Sequence, residues 1–283
     1  MKRILISLMI SSLTANVAVA NDQTDALFAK RGESTANAQK AADLARDLAK
    51  TETDQTAKGK LKYKEAEYIY FVGVRANSKE EKKALHERGF EAAKVAISLL
   101  AKDAEGKVPT SPDLTSALAT AHYFFAINLG KWGEANGVLS SLSRWPELKD
   151  HLDIIDQLDT TVQDYGSSRT RARALHKLPF GNKDEALSII SNAFDKTMSD
   201  SFDLSKNSTT VLYYLDLLVK TKKDVEKFCK TYDAFSELTE FSADELRDYN
   251  EDRVPETLSD LAAFQSGDEF EEKVEKYYKN NCR

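Results

Sequence analysis

The chain has 283 residues, of which 41% are hydrophobic and 30% charged, and it contains only 11 glycines and 5 prolines. A chain of this length can bury one large core or two modest ones. The scarcity of turn-forming residues argues against β-sandwiches and barrels, in which the chain must reverse often. The composition therefore predicts an all-α protein.

The N-terminal residues MKRILISLMISSLTANVAVAND have the three parts of a secretory signal peptide. Lys2 and Arg3 precede an apolar run, and Ala18 and Ala20 stand where a signal peptidase would cleave. The run is shorter than the roughly 20 residues that a membrane-spanning helix needs. We expect residues 1–20 to be a cleavable signal peptide that directs the protein to the periplasm. The absence of a cysteine at the cleavage site argues against a lipid anchor.

Charge also limits the classes of partner. Loss of Lys2 and Arg3 would leave 38 basic residues against 46 acidic ones, a net charge of −8. The acidic residues are interspersed with lysines along the chain and are not clustered. Nucleic acid and anionic lipid are poor partners for such a surface as a whole.

Helical spacing of apolar residues predicts three helices after the signal peptide, at 34–50, 59–76 and 79–102. Ser34 or Thr35 can cap the first of them. A stretch rich in glycine and proline, 103–113, then interrupts the pattern.

The segment AHYFFAINLGKWGEANGVLSSL, 121–142, predicts a helical hairpin. Gly130 would end one helix, Trp132 would fill the turn, and Ala135 would let the next helix approach closely. The same G-x-x-x-E-A pattern recurs at Gly181, and a looser copy surrounds 223–225. This pattern is typical of tetratricopeptide (TPR) hairpins, but the copies are 51 and 39 residues apart, against 34 in a regular array. We therefore expect an irregular, TPR-like array of helical hairpins.

Further helices are expected at about 183–198, 207–221, 223–238, 242–264 and 268–280, with a break or kink at Pro255. We expect residues 21–238 to form a single compact TPR-like domain and residues 239–283 to form a C-terminal helical extension.

The two cysteines, Cys229 and Cys282, would both remain after export. An even pair in an oxidising compartment favours a disulfide, with two separate thiols as the alternative. The four histidines are scattered and match no metal-binding or catalytic motif, so neither a metal site nor a cofactor is predicted. His122 and His176 could be imagined as acid–base groups, but no partner spacing supports catalysis. We expect a non-enzymatic protein.

The hairpin at 121–142, together with Arg169 ahead of ALHKLP at 174–179, resembles the T-component (TatT) family. This family consists of periplasmic TPR-like proteins associated with tripartite ATP-independent periplasmic (TRAP) transporters. The helix RGFEAAKVA, 88–96, is similar to the family's R-G-x-x-Y-A-x-x-A helix. The resemblance covers roughly 26–238. It departs from the family at Phe124 and Phe125, one of which stands where the family favours Trp, in the Arg169 helix, which lacks the usual Leu-Gly, and in the missing lipobox cysteine.

The resemblance implies a scaffold that docks a periplasmic solute-binding protein and assembles as a homotrimer. It also implies a hydrophobic channel for a small apolar ligand, and it singles out Arg169 as an arginine that turns inward, where it could pair with a carboxylate or brace the region of Asn128. Tyr123, Phe124 and Asn128 are the candidates for contact with a ligand or partner. The alternative is that the aromatic rings form the hairpin core and that Asn128 caps a neighbouring backbone segment.

Two other functions stay open at this point. One is a general TPR-like scaffold of the cell envelope that is unrelated to transport. The other is a hydrophobic-ligand carrier that acts alone.

Overall fold

The computed structural model describes residues 22–103, 109, 111–265 and 269–282. Within these ranges all regular secondary structure is helical, apart from an isolated β-bridge between Met198 and Ser205. The prediction of an all-α helical-hairpin fold is confirmed. The expected signal peptide, 1–20, lies outside the described residues, as does most of the predicted break at 103–113.

The chain divides into two compact units after Asp159. The division falls at a different place from the boundary expected at residue 238. Residues after 238 share a core with helices that precede them, since Leu246, Tyr249 and Phe264 belong to the same buried cluster as Phe194 and Phe235. Apolar periodicity shows where helices form, but it does not show which helices share a core.

The first unit is an array in which each long helix packs against the next and the third helix also packs against the fifth. Ser34 and Asp54 accept hydrogen bonds from backbone N–H groups of the first turn and so fix the starts of two helices. The elements are α1 (22–29), α2 (Thr35–Thr51), α3 (Gln55–Val74), α4 (Lys79–Asp103), α5 (Pro112–Asn136) and α6 (Trp145–Leu158), with 3₁₀ turns at Lys30–Gly32 and Leu139–Arg144.

Helix α5 is the centre of this unit. Between Ala117 and Leu129 nearly every side chain is buried. A helix that is apolar on all sides must be surrounded by other elements, and α3, α4 and α6 pack around it. The aromatic segment noted in the sequence is therefore a central core helix.

The predicted turn inside 121–142 is wrong. Gly130, Trp132 and Ala135 all lie within α5, which continues to Asn136 and ends at Gly137, where φ is 93°. A glycine in a helix costs only about 1 kcal/mol relative to alanine, and burial of the surrounding helix outweighs that. Trp132 packs against Phe90, with ring centroids 6.2 Å apart, and not in a turn.

The second unit is built around α9, which packs against helices on both sides of it in the chain. Pro255 lies in the first turn of α12, where its missing N–H is harmless, so it starts a helix and does not kink one. The elements are α7 (Val162–Lys177), α8 (Lys183–Lys196), α9 (Ser208–Thr221), α10 (Val225–Glu237), α11 (Leu246–Asn250), α12 (Val254–Gln265) and α13 (Glu269–Asn281), with 3₁₀ turns at Leu238–Glu240 and Glu251–Arg253.

Gly181 lies in the turn between α7 and α8, as the sequence predicts. A Cβ atom at this position would lie 1.9 Å from the carbonyl oxygen of Leu175. Only glycine therefore allows the chain to pass so close to the end of α7.

A disulfide joins Cys229 on α10 to Cys282, which directly follows α13, with 5.5 Å between the Cα atoms. The predicted bond is confirmed. Tyr278 on α13 stacks on Tyr232 of α10 at 4.1 Å, and Tyr277 packs against Phe228. The disulfide and these rings hold the last helix against the core.

Removal of the disulfide should destabilise the second unit. The two cysteines are 53 positions apart in the sequence, and the chain-entropy model gives about 4 kcal/mol for a loop of this size. We expect the Cys229→Ser, Cys282→Ser double variant to unfold at a lower urea concentration than the oxidised protein. Equal midpoints would contradict this, and the reduced parent protein is the control for effects of the serines themselves.

Candidate functional site

Asn128, a candidate binding residue, is fully buried on α5. Its Nδ2 donates to the carbonyl oxygens of Ala66 on α3, at 3.1 Å, and of Phe124 on α5, at 2.8 Å. Its Oδ1 lies 3.0 Å from Nδ1 of His86 on α4. Because Nδ2 faces two carbonyls, Oδ1 must accept and the His86 Nδ1 must carry a hydrogen. One side chain thus joins three helices.

Two glycines make room for this contact. A Cβ atom on Gly89 of α4 would lie 2.4 Å from the Oδ1 of Asn128. A Cβ atom on Gly73 of α3 would lie 2.7 Å from Cε1 of the His86 ring. The helices can approach closely enough to share these hydrogen bonds only because both positions lack a side chain.

A charged group lies directly beside this contact. Glu65, the neighbour of Ala66 on α3, is 2% exposed and accepts hydrogen bonds from Arg88 on α4, at 3.0 Å, and from Lys62, at 2.9 Å. Arg88 also pairs with Asp43 on α2 at 3.0 Å. A buried carboxylate is tolerated only when it is paired in this way. We call the set Asp43, Glu65, His86, Arg88 and Asn128 the interhelix polar layer.

Tyr123 and Phe124 are each 3% exposed, and their rings pack edge to face with centroids 5.2 Å apart. They lie in the interior of the first unit next to the polar layer, since Phe124 also supplies a carbonyl to Asn128. The structure thus places three of the four candidate binding residues together, in the core. Their contact with a ligand or partner stays a prediction.

Arg169 is 3% exposed on α7, so it does turn inward. Its guanidinium group donates to the carbonyl oxygens of Gln163 at 3.0 Å and Asp164 at 3.1 Å, and to the hydroxyl of Thr210 at 3.3 Å. These partners lie in the second unit, whereas Asn128 belongs to the first.

The backbone beside Arg169 has a conformation that the sequence did not reveal. Gln163, Asp164 and Tyr165 have φ values of 52°, 55° and 58°, and residues other than glycine pay roughly 1–2 kcal/mol each in this left-handed region. Arg169 satisfies two of the carbonyls, while Arg253 contacts the side chains of Gln163 and Asp164. The two arginines therefore stabilise a strained turn.

His86 and His122 are buried, His151 and His176 are partly buried, and burial favours the neutral form of all four at pH 7. The Nδ1 atoms of His122 on α5 and His151 on α6 lie 2.9 Å apart, so one ring donates and the other accepts. Burial lowers the pKa of His122 to about 3 and lowers the pKa of His151. Burial also lowers the pKa of His86 to about 4 and that of His176 to about 4.

Neither a metal cluster nor a membrane span is found in the part of the chain that the structure describes. There, no three His, Cys, Asp or Glu side chains come together as metal ligands would. Nor does any helix of those ranges have the length and apolar character needed to cross a bilayer.

Comparison of the chain with protein-family models gives no match, and comparison with curated protein sequences gives none. The resemblance to the TRAP T-component family therefore rests on the sequence motifs alone.

A methyl group at Gly89 should disrupt the polar layer. We expect Gly89→Ala to lower the free energy of unfolding by about 1–3 kcal/mol, because the new Cβ overlaps Asn128. The matched control is Gly130→Ala on α5, where the nearest atom to a Cβ would be 3.5 Å away and alanine should stabilise by up to about 1 kcal/mol. Urea unfolding of both variants measures the difference, and equal effects would contradict the assignment.

Acid should destabilise the protein before its carboxylates protonate. The unfolded chain binds protons at histidine below pH 6.5, but the folded chain does not, because burial has lowered the pKa of His86 and of His122. The free energy of unfolding therefore does not depend on these histidines above pH 6.5. Below that pH it falls towards pH 4, by up to about 1.4 kcal/mol per histidine and pH unit. We expect urea midpoints to fall between pH 7 and pH 5.

The variant His122→Gln should lose part of this slope, because it has one buried imidazole fewer. A flat profile between pH 7 and pH 5 in the parent protein would contradict the account.

Proposed function

We propose that this protein is a non-enzymatic scaffold of the periplasm that binds another exported protein through the outer surface of its helical hairpins. The observation that carries the proposal is that the buried polar side chains of the first unit join its helices to one another. Asn128, His86 and Glu65 are engaged with other helices of the same unit. Such contacts make a rigid array, and helical-hairpin arrays use their surfaces to bind proteins.

Export is supported by the disulfide between Cys229 and Cys282. Such bonds persist mainly in oxidising compartments, of which the bacterial periplasm is one. The signal-peptide pattern of the sequence supports the same location.

For the partner we propose a solute-binding protein of a TRAP-type transport system, with a homotrimeric scaffold, as the resemblance implies. A stand-alone hydrophobic-ligand carrier is less well supported, because Tyr123 and Phe124 are packed in the core. If the protein acts in TRAP transport, selectivity for the transported solute resides in the solute-binding partner.

The purified mature protein should form a saturable complex with the TRAP solute-binding protein from the same organism. We expect a dissociation constant in the micromolar range or tighter, measured by isothermal titration calorimetry, because a standard-size interface between preformed surfaces gives at least this affinity. A solute-binding protein of an ATP-driven transporter is the matched control. Absence of a complex would refute the transport assignment, and affinity capture that recovers envelope enzymes instead would favour a general scaffold.

A further inference from the structure

The turn between α7 and α8 presents an aromatic side chain to solvent. Phe180 is 66% exposed, and Pro179 beside it is also exposed. In the described ranges only Leu139, among the large apolar residues, is more exposed. Single exposed apolar side chains are common on protein surfaces, so the feature that distinguishes Phe180 is the backbone that holds it.

The turn that carries Phe180 is held firmly. Lys183 Nζ donates to the carbonyl oxygens of Leu175, His176 and Leu178 at 2.7–2.8 Å, and so satisfies the last turn of α7. The Gly181 N–H donates to the Leu178 carbonyl at 3.0 Å.

On the far side of the turn, Asn182 accepts hydrogen bonds from two N–H groups of α8, and the close approach of Gly181 to Leu175 leaves no room for a side chain. The ring of Phe180 therefore projects from a preorganised backbone, which is the arrangement that lowers the entropy lost on binding.

Several lysines lie at the same end of the unit as this turn. Lys177 is the last residue of α7. Lys220, near the end of α9, lies close to Lys183. Burial lowers the pKa of the Lys183 ammonium group, and the charge of Lys220 lowers it further. The turn after α9 adds Lys222, and Lys223 is tied to Asp184 of α8 by an ion pair of 2.9 Å. Val225, the first residue of α10, is also 36% exposed.

Acidic side chains at the same end of the unit distinguish between a membrane and a protein as the partner. Asp184, Glu185 and Glu226 lie in the first turns of α8 and α10, and Asp224 caps α10. A uniformly anionic lipid surface would meet these carboxylates as well as the lysines. A protein can place its own carboxylates opposite the lysines alone, so the mixed pattern favours a protein.

We propose that Phe180 is the anchor of a docking surface that inserts into an apolar pocket of a partner protein, with carboxylates of the partner facing Lys220 and Lys222. Large rigid aromatics surrounded by polar groups commonly dominate the energetics of such interfaces. This inference deepens the scaffold function and rests on it for the assumption that the partner is a protein.

The test uses the full chain in living cells, with the photo-crosslinking amino acid benzoylphenylalanine in place of Phe180. The matched control carries it in place of Leu258, which is 41% exposed in the same unit. We expect a light-dependent adduct with one protein from position 180 and none from position 258. Mass spectrometry of the crosslinked peptide should locate an apolar pocket flanked by Asp or Glu. No adduct above the control, an adduct with lipid, or an adduct with a second copy of this chain would overturn the proposal.

Affinity for the crosslinked protein, once purified, gives the second readout. Phe180→Ser should weaken binding by about tenfold or more, and Lys220→Glu should weaken it and reduce its dependence on salt. Leu258→Ser should bind as the parent protein does. Because Phe180 is exposed, Phe180→Ser should fold as the parent protein does. An unchanged thermal unfolding curve checks this. Equal affinity of Phe180→Ser and the parent protein would overturn the proposal.

The outcomes separate this inference from the transport assignment. If the crosslinked protein is not a solute-binding protein, the docking surface stands and the TRAP partner does not. If the TRAP solute-binding protein binds the parent protein and Phe180→Ser equally well, the scaffold function stands and the docking surface does not.

Discussion

The hydrogen bonds of Asn128 are the constraint on which the first unit depends. They reach the backbone of α3, the backbone of α5 and the ring of His86 on α4 from a position that is fully buried. A buried amide without partners costs about 1–3 kcal/mol, so the three helices can pack only in the register that satisfies it. The apolar rings around Asn128 supply most of the burial, and the amide selects one arrangement of them.

The same constraint explains several neighbouring residues. Gly89 and Gly73 lack side chains where Asn128 and His86 must fit, and Arg88 lies beside Gly89 with its charge paired to Glu65. Within α5, Asn128 thus links three helices, and contact of this segment with a ligand or partner stays a prediction. The docking surface that we propose lies in the second unit, at the turn that carries Phe180.

Much of the fold could be predicted from local patterns. Apolar periodicity located the long helices, Ser34 and Gly181 marked a start and a turn, and the even cysteine count indicated the disulfide. The turn assigned to Gly130 failed because G-x-x-x-E-A fits a helix interior as well as a hairpin, and only burial by other helices decides between them. The contact of His86 with Asn128 spans 42 residues, and no spacing rule reports a pairing that tertiary packing creates.

The most direct test of the role of the Asn128 hydrogen bonds is a double-mutant cycle between His86 and Asn128, measured by urea unfolding of His86→Ala, Asn128→Ala and the double variant. We expect the two substitutions to be coupled by about 1 kcal/mol or more, because each removes the hydrogen-bond partner of the other. Effects that add within about 0.3 kcal/mol would contradict it, since they would show that Asn128 does not depend on His86 for its place in the core.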